Sequence, residues 1–182
     1  MVLKGFKYFY LILVLCIIGA GVSLFSMTAP EEEYKLEEMG GKQNSPYSLQ
    51  MYTSIEKYSK LYKVPKHVAY NVAYRETRYQ GPFDWNYNGK LISSSGAKGP
   101  MQIMPSTANY VSGKKISQKD LLYNIDLNVQ ISMKLLSKLH KQYKDWAVIC
   151  GYYNTGLPII NDYAKFCALN KDYKKNWVKY WN

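Results

Sequence analysis

The residue in this sequence best suited to chemistry is Glu76, near the end of a predicted helix. Apolar residues recur at helical spacing from Val68 to Ala73, and Glu76 continues the same face of that helix. A carboxylate on a buried face loses hydration, which raises its pKa and favours the protonated acid. A general acid that cleaves a glycosidic bond needs this property. The alternative interpretation is an ordinary surface glutamate flanked by Arg75 and Arg78.

Two later segments have the composition of loops that approach a ligand. In the segment 93–108, Gly96 and Gly99 break regular structure and allow the backbone to come close to a bound molecule. Gln102 follows, and Pro105 is suited to the first position of a new helix. The segment 151–156 reads Gly-Tyr-Tyr-Asn-Thr-Gly. We therefore expect a cleft between the Glu76 helix and these two segments.

These three ordered motifs resemble those of the lytic transglycosylases that have an SLT (goose-type-lysozyme-like) catalytic domain. The family pattern is Glu-Ser, then Ser-x-x-Gly-Ala-x-Gly-Leu-Met-Gln-x-Met-Pro-x-Thr-Ala, then Ala-Tyr-Asn-Ala-Gly. Here the matching residues are Glu76-Thr77, Ser93 to Ala108 and Tyr152 to Gly156. The resemblance implies a mainly α (lysozyme-like α+β) domain with a catalytic cleft. By similarity, the cleft is lined by Ser93, Gln102, Met104, Tyr153 and Asn154.

The resemblance also implies the reaction, which is cleavage of the β-1,4 bond between N-acetylmuramic acid and N-acetylglucosamine in peptidoglycan. One glutamate suffices because the acetamido oxygen of the substrate stabilises the sugar cation. Glu76 would first donate a proton and then accept one from the C6 hydroxyl, leaving a 1,6-anhydro end. Tyr153 and Gln102 would bind sugar or orient Glu76, and Met104 would form an apolar wall. Asn154 would contact the ligand or fix its own turn; no cofactor is implied.

Two other functions stay open at this point. A lysozyme-type muramidase that hydrolyses the same bond would use a second carboxylate, and Asp84 is the nearest in sequence. The other aspartates suit turns or helix caps and lie further from the motifs: Asp120, Asp126, Asp145 and Asp162. The third reading is a non-catalytic wall-binding protein of the envelope. An intact Glu76 between matching motifs argues against this third reading.

Apolar periodicity predicts the helices that hold these motifs in place. The pattern predicts helices over Tyr47 to Tyr62, from Pro65 through Glu76, from Pro105, over Ile125 to Tyr143, and over Trp146 to Tyr153. The helix from Ile125 carries the largest apolar stripe and is expected to be central. Within it, Leu135 stands where the family usually has a tyrosine. Two further helices are predicted over Leu157 to Cys167 and Lys171 to Trp181.

The interval between Glu76 and Ser93 is longer than in typical family members. It contains Asn88-Gly89 between aromatic and apolar residues, which predicts a small β-hairpin with a type I′ turn. Trp85 in this interval could stack on sugar rings beside the cleft or could simply pack the hairpin against the domain.

The N-terminal segment predicts a membrane anchor. Lys4 and Lys7 precede the eighteen uncharged residues from Tyr8 to Phe25, and three glutamates follow from position 31. This order favours an uncleaved transmembrane helix in residues 1–25 with the domain outside the cytoplasmic membrane, in the periplasm. A cleaved signal peptide is the alternative. Residues 26–45 form a flexible linker, and residues 46–182 form the catalytic domain.

The net charge, the cysteines and the histidines limit which partners and bound groups we expect. The formal net charge of +11 suits an acidic partner, and peptidoglycan strands bearing peptide carboxylates are one. The lysines are scattered and no nucleic-acid motif is found, so we expect no nucleic acid partner. Proteins of the envelope machinery are further candidate partners. Cys150 and Cys167 could form a disulfide or remain buried thiols, and His67 and His140 lack the spacing of a metal site.

Overall fold

The computed structural model describes residues 38–41 and 44–179. The predicted anchor in residues 1–25 and linker positions 26–37, 42 and 43 lie outside the described residues. Within the described ranges, no helix is both long enough and apolar enough to cross a membrane.

The described domain is mainly helical, as predicted, and its order is helix after helix with short loops between them. The helices with complete bounds are α1 (Tyr47–Tyr62), α2 (Lys66–Thr77), α3 (Pro105–Ser112), α4 (Gln118–Tyr123), α5 (Ile125–Tyr143), α6 (Trp146–Thr155) and α7 (Asp162–Leu169). The bounds predicted for α1 and α5 are confirmed. The short helix α4 was not among the predicted helices.

Local sequence explains where the helices begin. Pro65 is the N-cap of α2, and Pro105 is the first residue of α3, where a missing amide donor costs nothing. The helices α4, α5, α6 and α7 begin at residues whose side chains accept a hydrogen bond from a first-turn amide. These residues are Ser117, Asn124, Asp145 and Asn161. Capping of this kind fixes the register of each helix, and hence of the side chains near its end.

The long helix α5 lies at the centre of the packing. It contacts α1, α3, α4 and α6, and it buries a stripe from Val129 to Leu139. The helix α2 packs on α1, α6 and α7, so the end of α2 is enclosed by α6 and α7. Aromatic rings extend this core, because Tyr70 stacks on Tyr79 and on Tyr173, with Trp177 edge-on to Tyr70. The Glu76 end of α2 is thereby held between rigid elements.

The predicted hairpin at Asn88-Gly89 is wrong. Neither residue has the positive φ that a type I′ turn requires at both central positions. The Asn88 side chain instead accepts a hydrogen bond from the Lys90 amide, and a Cβ on Gly89 would lie 2.8 Å from the Pro100 side chain. The extended pairing in the described residues consists of antiparallel bridges joining Lys98 to Ile92 and to Ile103. The β structure thus lies in the segment 92–103, after the predicted turn.

Two C-terminal predictions also need correction. Residues 157–160 form a loop, and α7 begins at Asp162 because Asn161 caps it, so the helix predicted from Leu157 starts too early. Residues 171–179 form a turn where a helix was predicted. The Val178 amide bonds to the Gln80 carbonyl and the Trp177 ring covers Gly81, so tertiary packing holds this segment open.

Candidate active site

Glu76 lies in the last turn of α2, half-buried, with its carboxylate directed towards α7. The Tyr163 hydroxyl donates a hydrogen bond to Oε1 of Glu76 at 2.5 Å. Tyr163 is buried and lies in the first turn of α7, whose start is fixed by the Asn161 cap. The carboxylate therefore has a defined orientation, with one oxygen engaged by a neutral donor.

The surroundings of Glu76 favour the protonated form of its carboxyl, as a general acid requires. Burial raises the pKa of Glu76 above its ordinary value, while the Tyr163 hydrogen bond and the nearby Arg75 charge lower it, and the net direction is upward. The Arg75 guanidinium lies over the rings of Tyr163 and Phe166, at 5.4 and 5.6 Å from their centroids. Desolvation thus outweighs the two groups that favour the carboxylate.

Tyr153 lies in the last turn of α6. Its hydroxyl donates to the Met101 carbonyl at 2.7 Å. This bond joins α6 to residues 93–104, the glycine-rich loop. Burial raises the pKa of Tyr153, and the charge of Glu76 raises it further. The structure therefore brings Tyr153 into the electrostatic reach of Glu76, while the proton of its hydroxyl is committed to the loop.

Asn128 on α5 organises the glycine-rich loop, and sequence reasoning did not identify it. Its Oδ1 accepts from the Met101 amide at 3.0 Å, and its Nδ2 donates to the carbonyls of Lys98 and Leu121 at 2.9 Å. The side chain is fully buried. All of its bonds go to backbone groups, so Asn128 sets the shape of the loop rather than its chemistry.

Gly99 is required for this close contact. A Cβ at Gly99 would lie 2.3 Å from the Leu121 carbonyl oxygen and 2.5 Å from Nδ2 of Asn128, and the residue has a φ of +77°. At Gly99 the close approach is to protein backbone and a side chain, whereas the sequence predicted an approach to a bound molecule. The loop is thereby pressed against α5 and turned towards α6.

The side chains of Gln102 and Ser93 form hydrogen bonds with backbone groups of the loop. Nε2 of Gln102 donates to the carbonyls of Leu91 and Gly99 at 3.0 and 2.8 Å, and the residue has a φ of +49°. Oγ of Ser93 accepts from the Ala97 amide at 3.0 Å. In the part of the chain that the structure describes, neither side chain is hydrogen-bonded to Glu76. Both side chains therefore hold the conformation of the loop.

Met104 lies at the end of the glycine-rich loop, and Asn154 lies near the end of α6. Met104 precedes α3 and exposes 37% of its side chain, an exposed thioether at the end of the loop. Oδ1 of Asn154 accepts from Nδ2 of Asn161, the residue that caps α7, at 3.1 Å. Asn154 therefore joins the end of α6 to the start of α7 and contributes to the placement of Tyr163.

Thr77, the residue after Glu76, joins the interval between Glu76 and Ser93 (the inserted segment) to the end of α2. Oγ1 of Thr77 lies 2.8 Å from both the Tyr87 hydroxyl and the Pro100 carbonyl. Two residues before Tyr87, Trp85 remains 52% exposed and meets the Phe83 ring edge-on at 6.0 Å between centroids. Trp85 is thus exposed in a segment that is anchored beside Glu76.

The aspartates considered as a second carboxylate have structural partners. Asp84 lies in a turn, where burial raises the pKa of its carboxyl and the Asn86 amide hydrogen bond lowers it. Asp126 accepts from Ser54 and Tyr58, and Asp145 caps α6. Asp120 and Asp162 lie in the first turns of α4 and α7. Among residues 38–41 and 44–179, no group of three His, Cys, Asp or Glu could hold a metal ion.

Tyr163 is the hydrogen-bond partner of Glu76, and the sequence analysis did not identify it as a site residue. Its position carried a usable signal, because Tyr163, Ala164, Cys167 and Ala168 form the buried face of α7. A tyrosine on such a face needs a partner for its hydroxyl. A helix from Leu157 would put Tyr163 near its middle, whereas the structure puts Tyr163 in the first turn of α7.

Comparison of the chain with known protein families finds one match. The model of the Transglycosylase SLT domain matches residues 53–176, which is well over half of the chain and includes Glu76, the loop and Tyr163. No curated protein and no solved structure matches the chain. The matched region contains all of the elements that position Glu76. The chain therefore belongs to the SLT transglycosylase family, whose members are lytic transglycosylases that cleave glycosidic bonds of peptidoglycan.

Proposed function

We propose that this enzyme cleaves the β-1,4 bond between N-acetylmuramic acid and N-acetylglucosamine with Glu76 as its single acid and base. The observation that carries the proposal is the half-buried Glu76 carboxyl, whose pKa burial raises and whose nearest partner is the uncharged Tyr163. Protonated Glu76 gives its proton to the glycosidic oxygen as that bond breaks. The acetamido oxygen of the muramic acid residue stabilises the positive charge left on C1.

The second step uses the same carboxylate as a base. Glu76 takes the proton of the C6 hydroxyl, and O6 then bonds to C1 to close the 1,6-anhydro ring. Because this hydroxyl belongs to the same sugar, its attack needs no second molecule to be ordered. The Tyr163 hydrogen bond stabilises Glu76 while it is ionised between the two steps.

The remaining site residues are proposed to hold the substrate beside Glu76. Ser93 and Gln102 shape the glycine-rich loop, and the Gln102 amide oxygen is available to a sugar hydroxyl because its nitrogen bonds the loop. Tyr153 and Asn154 position the walls formed by the loop and α7, and Met104 supplies an apolar surface.

Product analysis with matched carboxylate variants tests this mechanism. Purified peptidoglycan is digested with the parent chain, with Glu76→Gln and with Asp84→Asn, and the released muropeptides are weighed. We expect 1,6-anhydro ends from the parent and from Asp84→Asn, and no cleavage by Glu76→Gln. Reducing ends from the parent that disappear in Asp84→Asn would instead establish a hydrolase with Asp84 as its second carboxylate.

We further propose that residues 1–25 anchor the enzyme in the cytoplasmic membrane with its domain on the outer side. The support is the uncharged stretch from Tyr8 to Phe25 between Lys7 and the glutamates from position 31. Fractionation of cells followed by N-terminal sequencing of the protein tests this topology. A soluble mature form that begins near Pro30 would replace the anchor by a cleaved signal peptide.

A further inference from the structure

Two cysteines lie on the neighbouring helices that carry Tyr153 and Tyr163. Cys150 lies in α6 and Cys167 lies in α7, the two helices pack directly against each other, and both side chains are fully buried. Both are free thiols in the structure, and Cys150 lies near enough to raise the pKa of the Cys167 thiol. A disulfide requires two cysteines whose backbones lie side by side, and packed neighbouring helices provide this arrangement.

The two helices are built to approach closely at this point. Gly151 follows Cys150, and a Cβ there would lie 1.6 Å from the Ile159 carbonyl oxygen and 3.5 Å from Cβ of Ala164. The absence of that Cβ lets α6 and the loop before α7 come into direct contact. The contact between Cys150 and Cys167 is therefore set by the backbone packing of α6 on α7 rather than by side-chain rotation alone.

The pair is also close to the reacting groups. The charge of Glu76 acts on the Cys167 thiol and on the Tyr153 hydroxyl. Tyr163, which donates to Glu76, lies one helical turn before Cys167 on the same buried face of α7. A covalent bond at this position would join the two helices that carry Tyr153 and Tyr163.

We propose that Cys150 and Cys167 are a disulfide-forming site, and that an intramolecular bond between them ties α6 to α7 in the exported enzyme. An enzyme that acts on peptidoglycan works outside the cytoplasm, where disulfides persist. This step rests on the family assignment and not on the catalytic mechanism proposed above.

The bond forms by thiol–disulfide exchange with a low-molecular-weight disulfide or a disulfide-donating oxidoreductase. One thiolate attacks the donor disulfide and releases a first thiol. The second cysteine then attacks the mixed disulfide and releases the second thiol. The two cysteines lose two electrons and two protons, and the donor gains both, so the reaction balances as two thiols oxidised and one disulfide reduced.

Burial dictates when this exchange takes place. Burial raises the pKa of the Cys167 thiol, and the hydrogen bond with Cys150 raises it further. The thiolate is the reactive form, so Cys167 is a poor nucleophile in the folded domain, and both cysteines are closed to solvent. The disulfide must therefore form during folding, before α6 and α7 close, and is then protected from reductants.

Thiol counting after refolding tests the bond directly. The full chain carrying Cys16→Ser, which leaves these two cysteines, is unfolded with reductant and refolded in detergent with either oxidised glutathione or dithiothreitol. Each sample is then denatured in acid, alkylated and weighed. We expect no alkyl group and no glutathione on the oxidised sample, and two alkyl groups on the reduced one. Two alkyl groups or glutathione adducts on the oxidised sample would overturn the proposal.

Thermal unfolding tests what the bond does. The chain-entropy effect of closing this short loop predicts that the oxidised form melts roughly 6–12 °C higher than the reduced form. The matched control is Cys150→Ala/Cys167→Ala in the same background, whose melting temperature should not respond to reductant. Equal melting temperatures for the oxidised and reduced parent would contradict the tie between the helices. The thiol count uses unaltered Cys150 and Cys167 and is independent of activity, so it decides even where the alanine pair does not fold.

Discussion

The Tyr163 hydroxyl donates a 2.5 Å hydrogen bond to Oε1 of Glu76, joining the first turn of α7 to the last turn of α2. This contact and burial act on the Glu76 carboxyl in opposite directions. Burial raises the pKa, the hydrogen bond lowers it, and the net shift is upward. The acid form is thus retained to higher pH than in a free glutamate, while the ionised form still has a donor.

Replacing Glu76 by Gln should abolish cleavage, with a loss of at least about a hundredfold, and should stabilise the fold at neutral pH. The stability effect follows from the raised pKa. Above the folded pKa the carboxylate is ionised and buried, which costs stability, whereas below its ordinary pKa of 4.5 it is protonated in both folded and unfolded states. Melting temperatures at pH 7 and pH 4 measure the difference between Gln and parent, which should shrink in acid.

The matched control for this measurement is Glu56→Gln. Glu56 is also buried, but it accepts from the Tyr70 hydroxyl and pairs with Lys66, so its change removes favourable contacts. We expect Glu56→Gln to lower the melting temperature at pH 7 and to keep the reaction chemistry intact. A Glu76→Gln protein less stable than the parent at pH 7 would contradict the cost assigned to the buried carboxylate.

Replacing Tyr163 by Phe should move the alkaline limb of the rate profile to higher pH. Without the hydroxyl, the carboxylate loses a donor, so the pKa of Glu76 rises further and the acid persists longer. The rate at the optimum should fall by about tenfold or more, because a charge-assisted hydrogen bond contributes roughly 1.5–3 kcal/mol. The measurement is kcat/KM against pH with soluble glycan fragments.

A purely structural role for Tyr163 would lower the rate without moving the limb. Tyr153→Phe serves as the comparison, because the Tyr153 hydroxyl donates to the Met101 carbonyl and not to Glu76. Its alkaline limb should stay closer to that of the parent. A limb that stays fixed in Tyr163→Phe would remove Tyr163 from the tuning of Glu76.

The sequence was informative where local rules decide the structure. The caps at Asn124 and Asp145 and the apolar stripe from Val129 to Leu139 act within one helix, so α5 and α6 could be predicted from their own residues. The position of Glu76 on the buried face of α2 followed from the same periodicity.

The rest of the site depends on contacts between distant segments. The bond between Glu76 and Tyr163 joins α2 to α7, and the bonds of Asn128 join α5 to Lys98 and Met101, so no local pattern contains them. Asn88-Gly89 satisfied the local rule for a hairpin, but packing of Gly89 against Pro100 determined its conformation. Tertiary packing likewise overrode the helix predicted beyond Lys171.

Replacing Asn128 by Ala should destabilise the domain by about 2–4 kcal/mol. The change leaves the Leu121 carbonyl and the Met101 amide without a partner, at about 1–3 kcal/mol for each unsatisfied group before relaxation, whereas the Lys98 carbonyl keeps its bond from the Ile103 amide. Urea unfolding followed by circular dichroism measures the loss. Asn124→Ala is a matched control, since it removes only the cap of α5 and should cost about 1 kcal/mol. Equal losses would show that the loop does not depend on Asn128.

Replacing Trp85 by Ala should raise KM about threefold to tenfold and leave kcat nearly unchanged. Trp85 is exposed in the segment that Tyr87 ties to Thr77, beside Glu76, so its ring is available to stack on a sugar away from the bond that breaks. Contacts that are equal in the bound substrate and the transition state change KM alone. Tyr110→Ala is the control, because Tyr110 is also exposed but lies against Lys138 of α5. With glycan fragments of increasing length, the effect of Trp85→Ala should appear only once the chain is long enough to reach the ring. An equal effect on the shortest cleavable fragment, or a fall in kcat with KM unchanged, would place Trp85 in the packing of the inserted segment instead.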